Sequence, residues 1–288
     1  MRKVDFICIG AQKAGTTTLH EILNQHPELG LPKRKETHFF SNTELFNKGL
    51  EHYFSYFKNK ETYEFLGEID PEYAFNEGSA KRIYKSFGRV KVVFLLRNPV
   101  DRALSHYLMT KRRGLEERDF EEAILEENLN NFSSFQKMHF SYLSRGLYYK
   151  QVKNYFDIFG RDNVKIILFE DFTKDLKKSI CEISEFIGLP EFNFNTDIKS
   201  NPAASARFKK VQSFIYRDNS LKKIGGKLLE SKELKRKIMQ KIESLNLKKE
   251  AKPQVSLAFK RKIFLKYFEQ DIDRLESLTD LNLEEWKL

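Results

Sequence analysis

The sequence predicts an α/β fold: a central parallel sheet flanked by helices in a three-layer sandwich, followed by a helical C-terminal subregion. Three observations predict it. Short runs rich in Val, Ile, Leu and Phe recur along the chain, each leading into a helical pattern. These runs are apolar on consecutive positions, which requires cover on both faces of the sheet. After about residue 200 such runs stop, and helix-forming and basic residues take over.

Taken in order, the strands are "VDFICIG" at 4–10, "YEFLGEI" at 63–69, "VKVVFLL" at 90–96 and "NVKIILFE" at 163–170. Helices are expected over 16–26, 78–87, 99–113, 119–129, 142–159 and 174–187. Pro99 stands near the start of the third, where a fixed φ and a missing N–H cost least. Strand alternating with helix places ligands at the carboxyl ends of the strands. Beyond residue 200, "KELKRKIMQKIESLNLKKEAK" is a dense basic stretch and "LAFKRKIFLKYFEQDIDRLESL" one long amphipathic helix. The basic stretch is either a solvated helix face or a rim for an acidic ligand. No repeat or low-complexity linker divides the 288 residues, so a single domain over 1–288 is expected, with its helical subregion over about 200–288.

A hydrophobic fraction of 40% fits a soluble protein, and the net charge of +10 should attract polyanions. Charge alone does not choose between a nucleotide, an acidic glycan, nucleic acid and an anionic membrane surface. No nucleic-acid reading motif is present, so nucleic acid is not the expected partner. Cys8 and Cys181 read as buried thiols, with no spacing that suggests a metal site. The apolar run before Gly10 is too short for a signal-peptide core, and no later run approaches a membrane span. A cytoplasmic protein without an integral span is therefore expected, with peripheral membrane contact left open.

The first strand runs into "GAQKAGTTTLH", the geometry of a P-loop-like anion site: backbone N–H groups converge at a turn and a helix N-terminus. In nucleoside triphosphatases a lysine follows the second glycine and the next Ser or Thr holds magnesium. Here Thr16 occupies that place and Lys13 sits inside the loop, where it can reach a bond being broken. An ordinary turn with threonine caps would explain Gly15 and Thr16, but not Lys13 or Gly10. The third strand ends in Arg97, and Ser105 follows it on the next helix. An arginine at a strand's carboxyl end suits a bidentate grip on a second phosphate.

With these two motifs, the chain resembles the sulfotransferases that use 3′-phosphoadenosine 5′-phosphosulfate (PAPS). "GAQKAGTTTL" is similar to the family's 5′-phosphosulfate loop and "LLRNPVDRALSHY" to its 3′-phosphate motif. "KRKETHFF" at 33–40 is similar to a stretch of the heparan sulfate branch. Weaker likenesses are "GEIDPEY" at 67–73, "SRGLYYKQVKNYF" at 144–156 and "KKEAKPQV" at 248–255. The likeness spans most of the chain and suggests a soluble, bacterial-type member.

The resemblance implies that Lys13, Ala14, Gly15, Thr16, Thr17 and Thr18 hold the 5′-phosphosulfate, and that Lys13 neutralises the departing phosphate. It implies Arg97 and Ser105 for the 3′-phosphate, with Lys248 and Lys249 as late basic candidates, and no metal. Glu36 maps to the general base, and His38, two residues on, is its hydrogen-bond or acid/base partner; by intrinsic chemistry either could serve as base. For His38 the plain alternative is a histidine packing on Phe39 and Phe40. Tyr73, Tyr148 and Phe39 are candidates to stack on a sugar or adenine, and Trp286 to pin the C-terminal helix. The implied acceptor is a hydroxyl or amine of a carbohydrate, a glycolipid or another small molecule. Three positions depart from the heparan sulfate branch: Ile69 where a lysine is usual, and Thr17 and Glu250 where arginines are. The branch's cysteine pair is absent. The rival readings are a kinase with an atypical P-loop, which would use Asp70 on magnesium, and a polyanion-binding protein.

Overall fold

The structure, a computed structural model, describes residues 2–127, 129–197, 204–206, 242, 246–249 and 255–287, with the backbone alone at 60, 204–206 and 247–249. Its centre is a parallel sheet of β1 (Phe6–Gly10), β2 (Leu29–Gly30), β3 (Phe65–Ile69), β4 (Lys91–Leu96) and β5 (Val164–Leu168). The strand order is β2-β3-β1-β4-β5, and every pairing is parallel. Successive strands β3 and β4 fall on opposite sides of β1. The carboxyl end of β1 is therefore the switch point of the sheet, where such folds open a ligand crevice.

The consecutive apolar positions do what was expected of them. All five residues of β1 are buried, as are all of β4 after Lys91. β5 lies at the edge and is only partly buried. Register is tight where a large residue meets a small one. Phe6 pairs with Gly67, and a Cβ on Gly67 would stand 2.1 Å from the Phe6 ring.

Helices follow the strands at Thr16–Leu23, Glu77–Phe87, Pro99–Arg112, Tyr148–Phe159 and Leu176–Ile187. The helix expected over 142–159 begins only at Tyr148, after a short turn at Ser144–Gly146. Gly146 approaches Phe268 and Pro99 so closely that a Cβ would stand 3.0 and 3.1 Å from them, leaving no room for a helical side chain. The helix expected over 119–129 is cut to Phe120–Leu125, opened by a capping box of Asp119 and Glu122.

By contacts the chain divides into two compact units. One comprises Met1–Arg102, Arg145–Ser200 and Arg261–Leu288 and holds the parallel sheet. The other comprises Ala103–Ser144 and Asn201–Lys260. Inside it, Glu116 ties Arg118 at 2.7 Å and the Tyr142 hydroxyl at 3.0 Å.

Three expectations need correction. Strands do not stop at residue 200: β6 (Ala204–Ala206) pairs antiparallel with β7 (Leu247–Lys249), a short ladder that bulk composition cannot reveal. The long C-terminal helix is two, Leu257–Tyr267 and Glu269–Thr279, separated at Phe268, which leaves helical geometry and buries its ring. Cys181 is exposed, on the outer side of Leu176–Ile187, whereas Cys8 is buried in β1 as expected. Burial pushes the Cys8 thiol up to about 12. Most of the basic stretch at 232–252 lies outside the described residues.

Candidate functional site

Between β1 and the helix Thr16–Leu23 the backbone turns through Gly10 (φ 154°), Lys13 (φ 76°) and Gly15 (φ 87°). Ala11 N–H donates to Leu95 O at 2.5 Å and Ala14 N–H to Ala11 O at 3.1 Å, which ties the turn to β4 and to itself. Gly15 stands at the N-cap, and no side chain among the described residues caps the helix. The first-turn N–H groups of Thr16, Thr17 and Thr18 are left for a ligand, and the helix dipole favours an anion there. Glycine is required at position 15 twice over. Its φ is left-handed, and a Cβ would press at 3.2 Å on the rings of Phe169 and Phe172. Ala14 is buried beneath the turn, Thr16 is buried, Thr18 half-buried and Thr17 exposed.

Arg97 leaves the carboxyl end of β4, and its Nη1 donates to the Lys13 carbonyl at 3.0 Å. The two motifs, 84 residues apart in sequence, thus meet. The guanidinium lies 4.5 Å from the centre of the Phe169 ring, and the Arg97 carbonyl accepts from the Tyr148 hydroxyl at 2.8 Å. Asn98 caps the next helix through Oδ1 to the N–H groups of Val100 and Asp101, and its Nδ2 donates to Trp286 O at 3.3 Å. Trp286 lies in the short turn Glu284–Trp286 that follows the C-terminal helix, and its carbonyl ties that turn to the end of β4. Ser105 lies half-buried on Pro99–Arg112. Lys248 and Lys249 lie on β7, and their side chains are outside the described residues.

The stretch 33–40 is shaped from below by β3. Two fully buried carboxylates, Glu68 and Asp70, stand two residues apart at its end. Glu68 accepts from Thr37 Oγ1 at 2.5 Å, Tyr53 Oη at 2.8 Å and Tyr73 Oη at 3.0 Å. Burial and the neighbouring Asp70 raise the Glu68 pKa, and those three hydroxyls oppose the rise. Asp70 Oδ2 accepts from His38 N–H at 2.7 Å and lies 3.4 Å from His38 Nδ1, while Oδ1 accepts from Glu72 N–H at 3.0 Å. Glu36 and His38 both adopt left-handed backbone, φ 66° and 55°. The Glu36 carboxylate pairs with Lys35 and remains 39% exposed. Burial lowers the His38 pKa, but Asp70, with Glu36 and Glu72, outweighs it and holds the ring up at about 8. His20, on Thr16–Leu23, goes the other way, to about 4, through burial and the charge of Lys35.

Several expected roles change here. Tyr73, Tyr148 and Phe39 are fully buried and cannot stack on a ligand at the surface; Tyr73 instead serves Glu68, and Tyr148 serves Arg97. His38 faces Asp70 rather than packing as a bystander. Asp70, the magnesium ligand of the kinase reading, has both oxygens engaged by protein groups. Ile69 is 1% exposed in the sheet, so no side chain from this position reaches a ligand in this chain.

Residues 3–261 match the model of the sulfotransferase domain family. The chain belongs to that family. Among curated relatives, the bifunctional heparan sulfate N-deacetylase/N-sulfotransferase 1 of Caenorhabditis briggsae is 28% identical over 209 residues, 69% of this chain and 24% of the relative. The heparan sulfate glucosamine 3-O-sulfotransferase 5 of Homo sapiens is 26% identical over 188 residues, 64% of this chain and 53% of the relative. The chain thus spans about a quarter of the first and half of the second. A sulfotransferase from Alicyclobacillus acidocaldarius superposes over 100% of both chains with a TM-score of 0.70 at 26% identity.

In this sulfotransferase-family chain the residues missed by sequence reasoning are supports: Glu68, Tyr53, Phe169 and Asn98. Two carried a readable signal. Glu68 and Asp70 are acids at i and i+2 on an otherwise apolar strand, hence on one face of a buried element. Asn98 directly precedes a proline at a helix start, an N-cap signature.

Proposed function

We propose that the chain transfers the sulfuryl group of PAPS to a hydroxyl or amine of a carbohydrate or glycolipid-type acceptor, as one sulfotransferase domain over 1–288. The observation that carries the donor reading is the hydrogen bond from Arg97 to the Lys13 carbonyl, which couples two cationic motifs at neighbouring strand ends. The uncapped first turn and the glycine at 15 suit a tetrahedral anion held by backbone N–H groups. The 3′-phosphate is assigned to Arg97 and, along the helix that follows, to Ser105; Lys248 and Lys249 remain late basic candidates.

In this reading the acceptor oxygen or nitrogen forms a bond to sulfur as the bond from sulfur to the 5′-phosphate oxygen breaks. The departing oxygen gains negative charge, which Lys13 and the loop N–H groups stabilise. The acceptor's proton passes to Glu36. The names of the relatives, which act on heparan sulfate, support a carbohydrate acceptor. No helix among the described residues is long and apolar enough to cross a membrane. Two free thiols suit the proposed cytoplasmic setting.

The test is thermal stabilisation by 3′-phosphoadenosine 5′-phosphate, set against ADP and ATP with and without magnesium, in wild type and Arg97→Ala. A metal-independent shift with the 3′-phosphorylated nucleotide, lost in Arg97→Ala, is expected. A shift only with ATP and magnesium would sink the reading.

A further inference from the structure

The carboxyl end of β3 carries two fully buried carboxyl groups whose hydrogen-bond partners differ in kind. A carboxylate withdrawn from water is tolerated when a cation or several donors compensate it. Glu68 has three hydroxyl donors. Asp70 is equally buried, yet its hydrogen bonds come from two backbone amides, and the side-chain nitrogen facing it is His38 Nδ1 at 3.4 Å. Nδ1 is itself buried while the His38 side chain is 30% exposed, so the open part is the rest of the ring. Thr37, clamped on Glu68, and the His38 N–H, clamped on Asp70, hold this ring on a left-handed backbone that an unconstrained histidine seldom adopts.

We propose that Asp70 is a positioning residue that keeps the His38 ring protonated, so that His38 works as a fixed, hydrogen-bond-donating cation and Glu36 takes the acceptor's proton. The inference rests on the sulfotransferase reading and deepens it. It divides between Glu36 and His38 two tasks that sequence chemistry left interchangeable. A cation here stabilises the negative charge carried by sulfuryl and phosphate oxygens during transfer.

The charged surroundings agree from each element. Asp70 comes from the end of β3. Glu72, from the helix Glu72–Phe75, faces the same ring and is bonded to Arg145 at 2.9 Å. Glu36 lies in the ring's own loop and carries Lys35 as its partner. His20, on Thr16–Leu23, senses Lys35 and Glu36 and stays neutral. For a group raised to about 8, the cation is complete below its ordinary 6.5 and disappears as pH climbs through 8. Turnover should therefore decline on the alkaline side of 8, where a histidine base would keep its full activity.

Histidine-selective nitrogen NMR tests this on the intact protein, with the His38 signal identified by its loss in His38→Gln. The expected wild-type midpoint is about 8, against the ordinary 6.5. In Asp70→Asn it should fall by about 1 unit or more. A His38 neutral at pH 7 in wild type would overturn the proposal without any variant having to fold. In turnover of PAPS, His38→Gln should lower kcat with little change in KM, and His38→Lys should recover part of the loss. A lysine variant no better than the glutamine one would also overturn it. Stabilisation by 3′-phosphoadenosine 5′-phosphate is measured on the same samples. Its absence overturns the donor reading; a neutral His38 in protein that still binds the nucleotide overturns this inference alone.

Discussion

Two loops of the same unit solve the same problem by different means. The turn after β1 and the stretch 33–40 each hold non-glycine residues in left-handed backbone: Lys13 in one, Glu36 and His38 in the other. The first is held mostly by main chain and glycines, through Ala14 to Ala11 and Ala11 to Leu95 of β4, with one side-chain bond, from Arg97 to the Lys13 carbonyl. The second is held by side chains of another strand, Glu68 and Asp70, with two tyrosines beneath. A cradle made of backbone is robust to most side-chain changes and intolerant of a Cβ at the wrong place. A loop suspended from buried carboxylates can be undone without altering one of its own residues.

That contrast can be broken or sharpened by substitution. The largest effect is expected from Lys13→Ala, a loss of about 10²–10³ in kcat with an unchanged unfolding midpoint, because in the proposed function the side chain acts on transition-state charge while the cradle stays formed. Steady-state kinetics beside a thermal melt reads both. Next comes Tyr53→Phe, which leaves Glu68 Oε2 without the hydroxyl that now donates to it at 2.8 Å. Urea unfolding should show a loss of about 1–3 kcal/mol, together with weaker activity although residue 53 lies outside the loop; an active variant of normal stability would show that the loop holds itself. Gly15→Ala should cost about 1–2 kcal/mol for its backbone conformation and weaken nucleotide binding as the helix shifts away from Phe169 and Phe172. Calorimetric titration with 3′-phosphoadenosine 5′-phosphate measures that second effect. Smallest is Thr17→Ala at an exposed position, within about 0.5 kcal/mol in stability; a large loss of nucleotide affinity would mean that side chains, not backbone, build the cradle.

The same contrast explains what could be read in advance. Parallel strands buried on both faces announce themselves as consecutive apolar runs, and β1, β3, β4 and β5 fall inside the expected ranges. A backbone cradle leaves glycines and a lysine at fixed spacing, so the turn at 10–18 was legible down to Lys13 and Gly15. β2, with only Leu29 and Gly30, carries too short a pattern to find. The break at Phe268 interrupts an apolar periodicity that continues across it. Burial depends on what packs from distant sequence, so Tyr73 and Tyr148 looked like ligand-facing aromatics and proved to be supports, and Cys181 looked buried and is exposed. Nothing in the sequence links Asp70 to His38, because the two are 32 residues apart.

The lone tryptophan of the chain is Trp286. Its carbonyl accepts from Asn98, the residue after Arg97, and its indole sits 6.1 Å from the Tyr148 ring, whose hydroxyl holds the Arg97 carbonyl. An indole buried at 3% exposure and wired to that strand end is an optical probe already in place. Under the proposed assignment of Arg97 to the 3′-phosphate, its emission should change when the nucleotide binds, so donor affinity can be followed by intrinsic fluorescence in unlabelled protein.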